Sequence, residues 1–293
     1  MIQARRLSHL TLETPDLGRE LDYYENIIGL SVVSKDPNEV HLATKLGQLS
    51  TVLKKGPAPR CAGLAFQVSP NADIADIEKN IAREGLNCSA ISDPYPGVEK
   101  TIAFDDPKGT RLELFSTAAF VDPREVIGVG PVKLGHVAFV VSDPKEMAEF
   151  YGRVLGFRVS DWVEDFFVFL RCGPDHHTVN FLQGSGAQRI HHVAFELRDA
   201  AHLNESCEVL GRNRLEILWG PVRHGPGHNM ATYHRNPDQI IVELFTELDR
   251  MSDEELAHFD PKPWHRDRPQ RPKVWRKNER RDIWGPQIPS NFL

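Results

Sequence analysis

The chain repeats itself once, and this duplication constrains its fold more than any other feature of the sequence. Near the N-terminus it reads Leu7-Ser8-His9-Leu10-Thr11-Leu12, and much later Leu134-Gly135-His136-Val137-Ala138-Phe139. At matched distance each start is followed by an aromatic-rich stretch closed by a glycine, Glu20 to Gly29 and Glu146 to Gly156, so that Tyr24 pairs with Tyr151. A third landmark, Cys61-Ala62-Gly63-Leu64-Ala65-Phe66, aligns with Ile190-His191-His192-Val193-Ala194-Phe195. Each copy ends on Arg111-Leu112-Glu113-Leu114-Phe115 or on Ile241-Val242-Glu243-Leu244-Phe245. The offset of about 130 residues is too long for a solenoid unit and right for a duplicated domain. A chain of 293 residues is long enough for two such domains, each with its own core.

Within each half the pattern reads as strand, helix and three further strands, and that unit is itself doubled. Leu7–Leu12 and His136–Val141 are short apolar runs rich in β-branched and aromatic residues, which predicts strands. Asp16–Ile28 and Asp143–Leu155 carry apolar residues at helical spacing, with Pro144 suited to a first turn. Second helices are expected after Val68-Ser69-Pro70 and over Arg198–Leu210. Asp105-Asp106-Pro107-Lys108-Gly109 and Arg235-Asn236-Pro237-Asp238 are turn sequences that lead into the two glutamate strands as hairpins. The expected class is α+β. An N-terminal domain covers 1–120, a Pro- and Gly-rich linker lies near Val121–Pro131, a second domain covers 132–250, and an arm covers 251–293. The arm is Pro-rich and charged, with nine Lys/Arg against four Asp/Glu from Asp260 onward. Trp264, Trp275 and Trp284 recur in it, and three tryptophans are costly to leave in water. They predict an ordered strap that contributes to assembly or covers the active-site mouth, and a homo-oligomer, dimer or tetramer, is expected.

Composition narrows the function classes. No apolar run approaches the eighteen or so residues of a membrane span, and the start MIQARRLSHLTLE lacks the apolar core of a secretory signal. A cytoplasmic, membrane-free protein is expected. A net charge of −6 disfavours general nucleic-acid binding. The four cysteines have no CxxC spacing and read as reduced thiols.

The two copies differ where it matters chemically. The second keeps His136, His192 and Glu243, whereas the first has Gly63 at the position of His192. One copy looks competent for a metal and its sibling looks retired. Two neutral imidazoles and one carboxylate leave open positions on a six-coordinate ion, an arrangement suited to non-haem Fe(II). A single histidine at a strand start, or a glutamate in a VELF strand, is more often structural. The coincidence of all three with the repeat's landmarks shifts the balance.

Over roughly residues 5 to 250 the chain resembles the vicinal oxygen chelate superfamily, and within it the two-domain type I extradiol ring-cleaving dioxygenases. The elements GHVAF, HHVAFEL, RHGPGHNMATYHRNPD and VELF occur in family order in the second half. The resemblance implies two tandem domains, each made of two βαβββ modules forming a curved open barrel. It also implies Fe(II), or Mn(II) as the alternative, held by His136, His192 and Glu243. His192 is preferred over His191 because it shares the strand phase of the first copy. His177, fifteen residues before His192, matches the family's acid–base histidine. Tyr233, ten before Glu243, and His224, nine before Tyr233, match its substrate-oxygen partners. His176 and His228 are expected to stand aside.

The implied reaction is extradiol cleavage of a catechol by O2, giving a ring-opened semialdehyde or keto acid. No carboxylate-binding arginine stands out. Ala138 and the aromatics Trp162, Phe166, Phe167 and Phe169 predict an apolar pocket for a catechol with a hydrophobic substituent. Two rivals come from the same superfamily. A glyoxalase-type isomerase or lyase would draw on His9, Glu113, His136 and Glu243 but leave His192, His177, His224 and Tyr233 idle. A metal-free small-molecule-binding protein would have no use for a triad.

Overall fold

The computed structural model describes residues 2–122, 127–262, 267, 269–276 and 282–292. The first half runs β1 (Arg6–Thr14), α1 (Leu17–Asp22), a widened π-helical stretch (Tyr23–Ile28), β2 (Ser31–Lys35), β3 (Glu39–Ala43) and β4 (Leu49–Lys55). It continues with β5 (Arg60–Gln67), α2 (Ile74–Arg83), β6 (Cys88–Tyr95), β7 (Val98–Asp105) and β8 (Arg111–Phe115). The second half repeats the order with β9 (Lys133–Val141), α3 (Pro144–Leu155), β10 (Arg158–Val163), β11 (Phe167–Arg171) and β12 (Val179–Gln183). Its second module is β13 (Arg189–Glu196), α4 (Ala200–Arg212), β14 (Trp219–His224), β15 (Met230–Arg235) and β16 (Ile241–Thr246). Each half is thus two βαβββ modules whose strands join in one sheet. The strand order is β2-β3-β4-β1-β5-β8-β7-β6 in the first and β10-β11-β12-β9-β13-β16-β15-β14 in the second.

Local chemistry sets the helix limits. Asp16 and Asp143 cap the first helix of each half by accepting backbone N–H groups, and Pro144 occupies the first turn of α3. Gly29 and Gly156 close these helical segments at φ 81° and 72°, a left-handed turn that residues with a Cβ resist. The expected helix over Asp16–Ile28 is present but widens at Tyr23. The adjacent Tyr23 and Tyr24 are both fully buried there.

The halves engage each other through matching parts. The hydroxyl of Tyr151 on α3 donates to Asp106 in the β7–β8 turn at 3.0 Å. Reciprocally, the Glu20 carboxylate on α1 accepts from Asn236 Nδ2 (2.9 Å) and from the Asp238 N–H (2.8 Å) in the β15–β16 turn. Tyr23 Oη lies 2.6 Å from His234 Nε2. One hydrophobic core, from Ile2 to Leu244, runs through both halves.

Burial, and then the nearby Asp238, raise the Glu20 carboxyl to about 7. A folded-state value above the unfolded one means that this group adds stability as the pH falls through 7, fully so below the unfolded value of about 4.5, and withdraws it as the pH rises. The melting temperature of the wild type is therefore expected to rise on acidification from pH 8 towards pH 6. In Glu20→Gln that slope flattens; a wild-type slope in the variant would show that Glu20 does not carry it.

The C-terminal arm supplies both edges of the second sheet. After the hairpin β17 (Met251–Asp253) and β18 (His258–Phe259), β19 (Lys273–Trp275) pairs parallel with β10, and β20 (Asp282–Trp284) pairs antiparallel with β14. The three expected tryptophan anchors are not all anchors. Trp275 is buried, Trp284 is 41% exposed, and Trp264 lies outside the described residues. Phe259 and Phe292 are buried in addition. The four cysteines are unpaired. Among the described residues no helix is long and apolar enough to cross a membrane.

Candidate metal centre and its cavity

Strand register brings the three landmark side chains together. On the central pair β9–β13, His136 stands opposite Ala194, and Ala194 stands opposite Glu243 on β16, so His136 and Glu243 occupy one row of the sheet. His192 lies two residues before Ala194, on the same face by the two-residue period of a strand. The first half has the same register. Gly63 faces Thr11 as His192 faces Ala138, and Ala65 faces Glu113 as Ala194 faces Glu243.

His136 Nε2 is 3.1 Å and His192 Nε2 is 3.2 Å from the same oxygen, Glu243 Oε2. All three residues are buried, and one ligand atom from each lies within 4.8 Å of the others. No other His/Cys/Asp/Glu group of this kind occurs among the described residues, so His9 and Glu113 do not join His136 and Glu243 in one site. The donor set fits a divalent cation. His192 Nε2 is buried with no hydrogen-bond partner, and one carboxylate oxygen is flanked by two imidazole nitrogens that a metal would satisfy together. Burial, and then the neighbouring His191 and His136, hold His192 well below its ordinary pKa, in the neutral form a ligand requires. Burial alone would raise Glu243, but His136, then His224 and Tyr233, outweigh it, and the net shift is downward, towards the carboxylate.

The supporting contacts continue outward. Asn229 Nδ2 donates to Glu243 Oε1 at 2.9 Å. His191 Nδ1 lies 2.7 Å from His192 Nδ1 and fixes that ring from behind, so the doublet divides into one residue facing Glu243 and one orienting it.

A cavity of about 130 Å³ opens over the triad. His177, His224 and Tyr233 line it together with Asn180 and Asn229. Tyr233 Oη is 2.7 Å from His224 Nε2, and His224 Nδ1 is 2.9 Å from Asp282 of the arm. The His177 ring meets that of His136 edge-on at 4.2 Å between centroids. Burial, followed by the nearby His136 and His176, keeps His177 neutral. Gly227 passes directly over this histidine pair. A Cβ there would stand 3.3 Å from His177 Cε1 and 3.2 Å from His176 Nδ1, at a backbone φ of +75°.

The walls are apolar: Val163, Phe167, Phe169, Trp219, Pro226 and Ile288. Of the four expected aromatics, Phe167 and Phe169 line the cavity, Phe166 packs against the cluster of Val163, Phe169 and Trp275 behind that wall, and Trp162 packs against the main core. Ala138 is buried but does not reach it. Its register partner Asn180 does, with a buried Oδ1 that has no protein partner. Sequence reasoning missed Asn180, Asn229, Trp219, Asp282 and Ile288. His176 and His228 do not line the cavity, yet neither is idle: His176 is bonded to His177, and His228 is paired with Asp249 and Asp267.

A model of the Glyoxalase/Bleomycin resistance protein/Dioxygenase superfamily matches residues 6–114 and 133–244. The chain is 22% identical over 281 residues to an iron-dependent extradiol dioxygenase of Rhodococcus jostii strain RHA1, covering 85% of this chain and 91% of that protein. Its fold matches the Mn(II)-bound glyoxalase from Novosphingobium aromaticivorans with a TM-score of 0.84 at 24% identity, over 97% of this chain and 92% of that one. It also matches homoprotocatechuate 2,3-dioxygenase from Brevibacterium fuscum in complex with 3,4-dihydroxyphenylacetate, with a TM-score of 0.81 at 24% identity, over 99% and 92%.

Proposed function

The chain belongs to the Glyoxalase/Bleomycin resistance protein/Dioxygenase superfamily, and within it we propose that the protein is an extradiol dioxygenase, cleaving a catechol-type ring with O2 beside rather than between its hydroxyls. The single observation that carries this reading is the triad His136, His192 and Glu243 under a cavity that His177, His224 and Tyr233 also line. The triad holds one Fe(II), with Mn(II) as the alternative. The R. jostii relative is named as iron-dependent, and the N. aromaticivorans neighbour is named as Mn(II)-bound. When bound, such an ion would acidify the substrate hydroxyls and couple ring electrons to O2.

The chain's own residues do the rest. Tyr233 stays a protonated phenol, since burial and then Glu243 push its pKa well up, and its oxygen can accept from a substrate hydroxyl. His224, held by Asp282, fixes the Tyr233 hydroxyl. His177, neutral and away from the triad's carboxylate, takes the proton of the second hydroxyl and returns it to the cleaved product. The apolar walls exclude water from the ring.

The test is aerobic turnover by metal-loaded protein. Uptake of one O2 per catechol with a yellow ring-opened product supports the reading. Isomerisation of a hemithioacetal with no catechol turnover would move the protein to the glyoxalase side of the superfamily.

The cavity also sets the substrate class. Among the described residues lining it there is no Arg or Lys, so a substituent carboxylate would meet no cation among them, and burying it against these walls would cost several kcal/mol. Alkyl- and aryl-catechols are expected to exceed carboxylated catechols in kcat/KM by about 100-fold or more, given 1.4 kcal/mol per factor of ten. A panel of 3-alkyl, 3-aryl and carboxylated catechols reads this directly, and preference for the acids would refute it.

A further inference from the structure

Behind the cavity a buried polar chain leads away from His177, and the proposed mechanism does not use it. His177 Nδ1 lies 2.9 Å from Nδ1 of His176. His176 Nε2 lies 3.1 Å from Asp161 Oδ2. The same carboxylate receives the Trp275 indole N–H at 2.7 Å and the Lys273 backbone N–H at 2.9 Å, both from the arm. His176, His177 and Asp161 are all buried. Gly227 covers the histidine pair so closely that a Cβ there would press on both rings, at a positive φ that disfavours any other residue.

With both imidazoles neutral, proton bookkeeping along this chain has one solution. A carboxylate only accepts, so His176 must place its hydrogen on Nε2. A neutral His176 then has a lone pair at Nδ1, and the 2.9 Å contact is satisfied only if His177 donates from its own Nδ1. His177 is thereby left with an Nε2 lone pair on its other side.

We propose that Asp161 is a positioning residue that, through His176, sets His177 in the tautomer whose Nε2 is free to accept a proton from the substrate. This rests on the assignment of His177 as the acid–base group. It extends that assignment to two residues outside the cavity and gives the arm a part in it, because β19 supplies two of the three donors on Asp161. A base holding the wrong tautomer presents an N–H where a lone pair is needed, although its ring occupies the same place. That error lowers turnover without loosening substrate binding.

Asp161→Asn alone is ambiguous, since either orientation of the amide sets its NH2 against Trp275 or Lys273. Combining it with Trp275→Phe removes the indole donor. The amide oxygen then keeps the Lys273 N–H and the amide nitrogen donates to His176 Nε2, which reverses every hydrogen along the chain. In full-length protein labelled with 15N at histidine, both metal-free and loaded with diamagnetic Zn(II), the wild type is expected to show His177 protonated at Nδ1, and the double variant at Nε2. Assignment comes from the signal missing in His177→Asn. With catechol, the double variant is expected to lose kcat by about 100-fold or more while KM stays within about 3-fold, the usual span of an acid–base contribution. Trp275→Phe alone keeps the carboxylate and is expected to keep the wild-type tautomer.

Wild-type His177 already protonated at Nε2, or a double variant with unchanged tautomer and kcat, would overturn the proposal. Should the double variant fail to fold, the wild-type tautomer still decides, and His176→Phe supplies a second break in the chain with the same expected split between kcat and KM. Absence of any catechol turnover in the wild type would sink the dioxygenase reading, but the 15N measurement would still test the relay.

Discussion

His192→Ala is expected to give a folded protein that no longer retains metal and no longer turns over substrate. The wild type should bind one Fe(II) or Mn(II) per chain, because the second half alone presents two imidazoles and a carboxylate to one point. Losing one of three protein ligands removes most of the binding free energy, and a partner that only orients a ligand already contributes 10- to 100-fold in affinity. The variant should therefore keep less than about a tenth of the wild-type metal after desalting. A metal that binds only the folded protein adds about 2.7 kcal/mol of stability at a concentration 100 times its Kd. A chelator should thus lower the melting temperature of the wild type and leave that of the variant unchanged. Two metals per wild-type chain, or full retention in the variant, would break the assignment.

The first half already contains a natural version of that deletion. At the positions of His136, His192 and Glu243 it has His9, Gly63 and Glu113. The two surviving groups have moved towards neutrality. Burial, and then His41, take His9 down to about 3, while burial raises the Glu113 carboxyl despite a hydrogen bond from Tyr95. Glu243, by contrast, is held below its ordinary value. The two glutamate positions therefore carry opposite electrostatics: His136 and then His224 hold Glu243 down, whereas no histidine is among the groups that lower Glu113. A buried carboxyl with no cation to face is more stable protonated.

What could be read in the sequence follows from what repeats. The paired landmarks fall into identical registers because strand period and hairpin length are local properties, and a matched spacing in sequence becomes a matched position in the sheet. The helix starts at Asp16 and Asp143 and the closing glycines Gly29 and Gly156 were legible for the same reason. The arm's part in the site was not. β20 is three residues long, lies on an edge, and reaches β14 across nearly sixty residues, so it has no apolar alternation to give it away. Asp282 and Ile288 enter the cavity on that account alone. Ala138 misled through a correct argument carried too far. It shares a face with His136, but the cavity ends short of it and the neighbouring strand's Asn180 takes the place. His176 is expected from the sequence to stand aside, and only its contacts with His177 at 2.9 Å and Asp161 at 3.1 Å show what it is bonded to.

The second large effect separates chemistry from metal binding at His177. Its ring lies edge-on to His136, yet it stands outside the group of atoms that converge on one point, and its Nδ1 is already engaged with His176. His177→Asn is therefore expected to keep the wild-type metal content and a KM within about 3-fold, while kcat falls by about 100- to 10,000-fold, the span of a lost general acid–base group. The direction is set by burial. A neutral imidazole in this cavity can accept the proton of a substrate hydroxyl, whereas a carboxamide at the same place can hydrogen-bond but not carry a proton through the reaction. Substrate binding should persist because the apolar walls and the triad are untouched. The discriminating measurements are metal content and single-turnover rate on the same preparation. Loss of metal together with activity would make His177 a ligand, and unchanged turnover would mean that the proton is handled elsewhere, with the Tyr233–His224 pair as the nearest alternative.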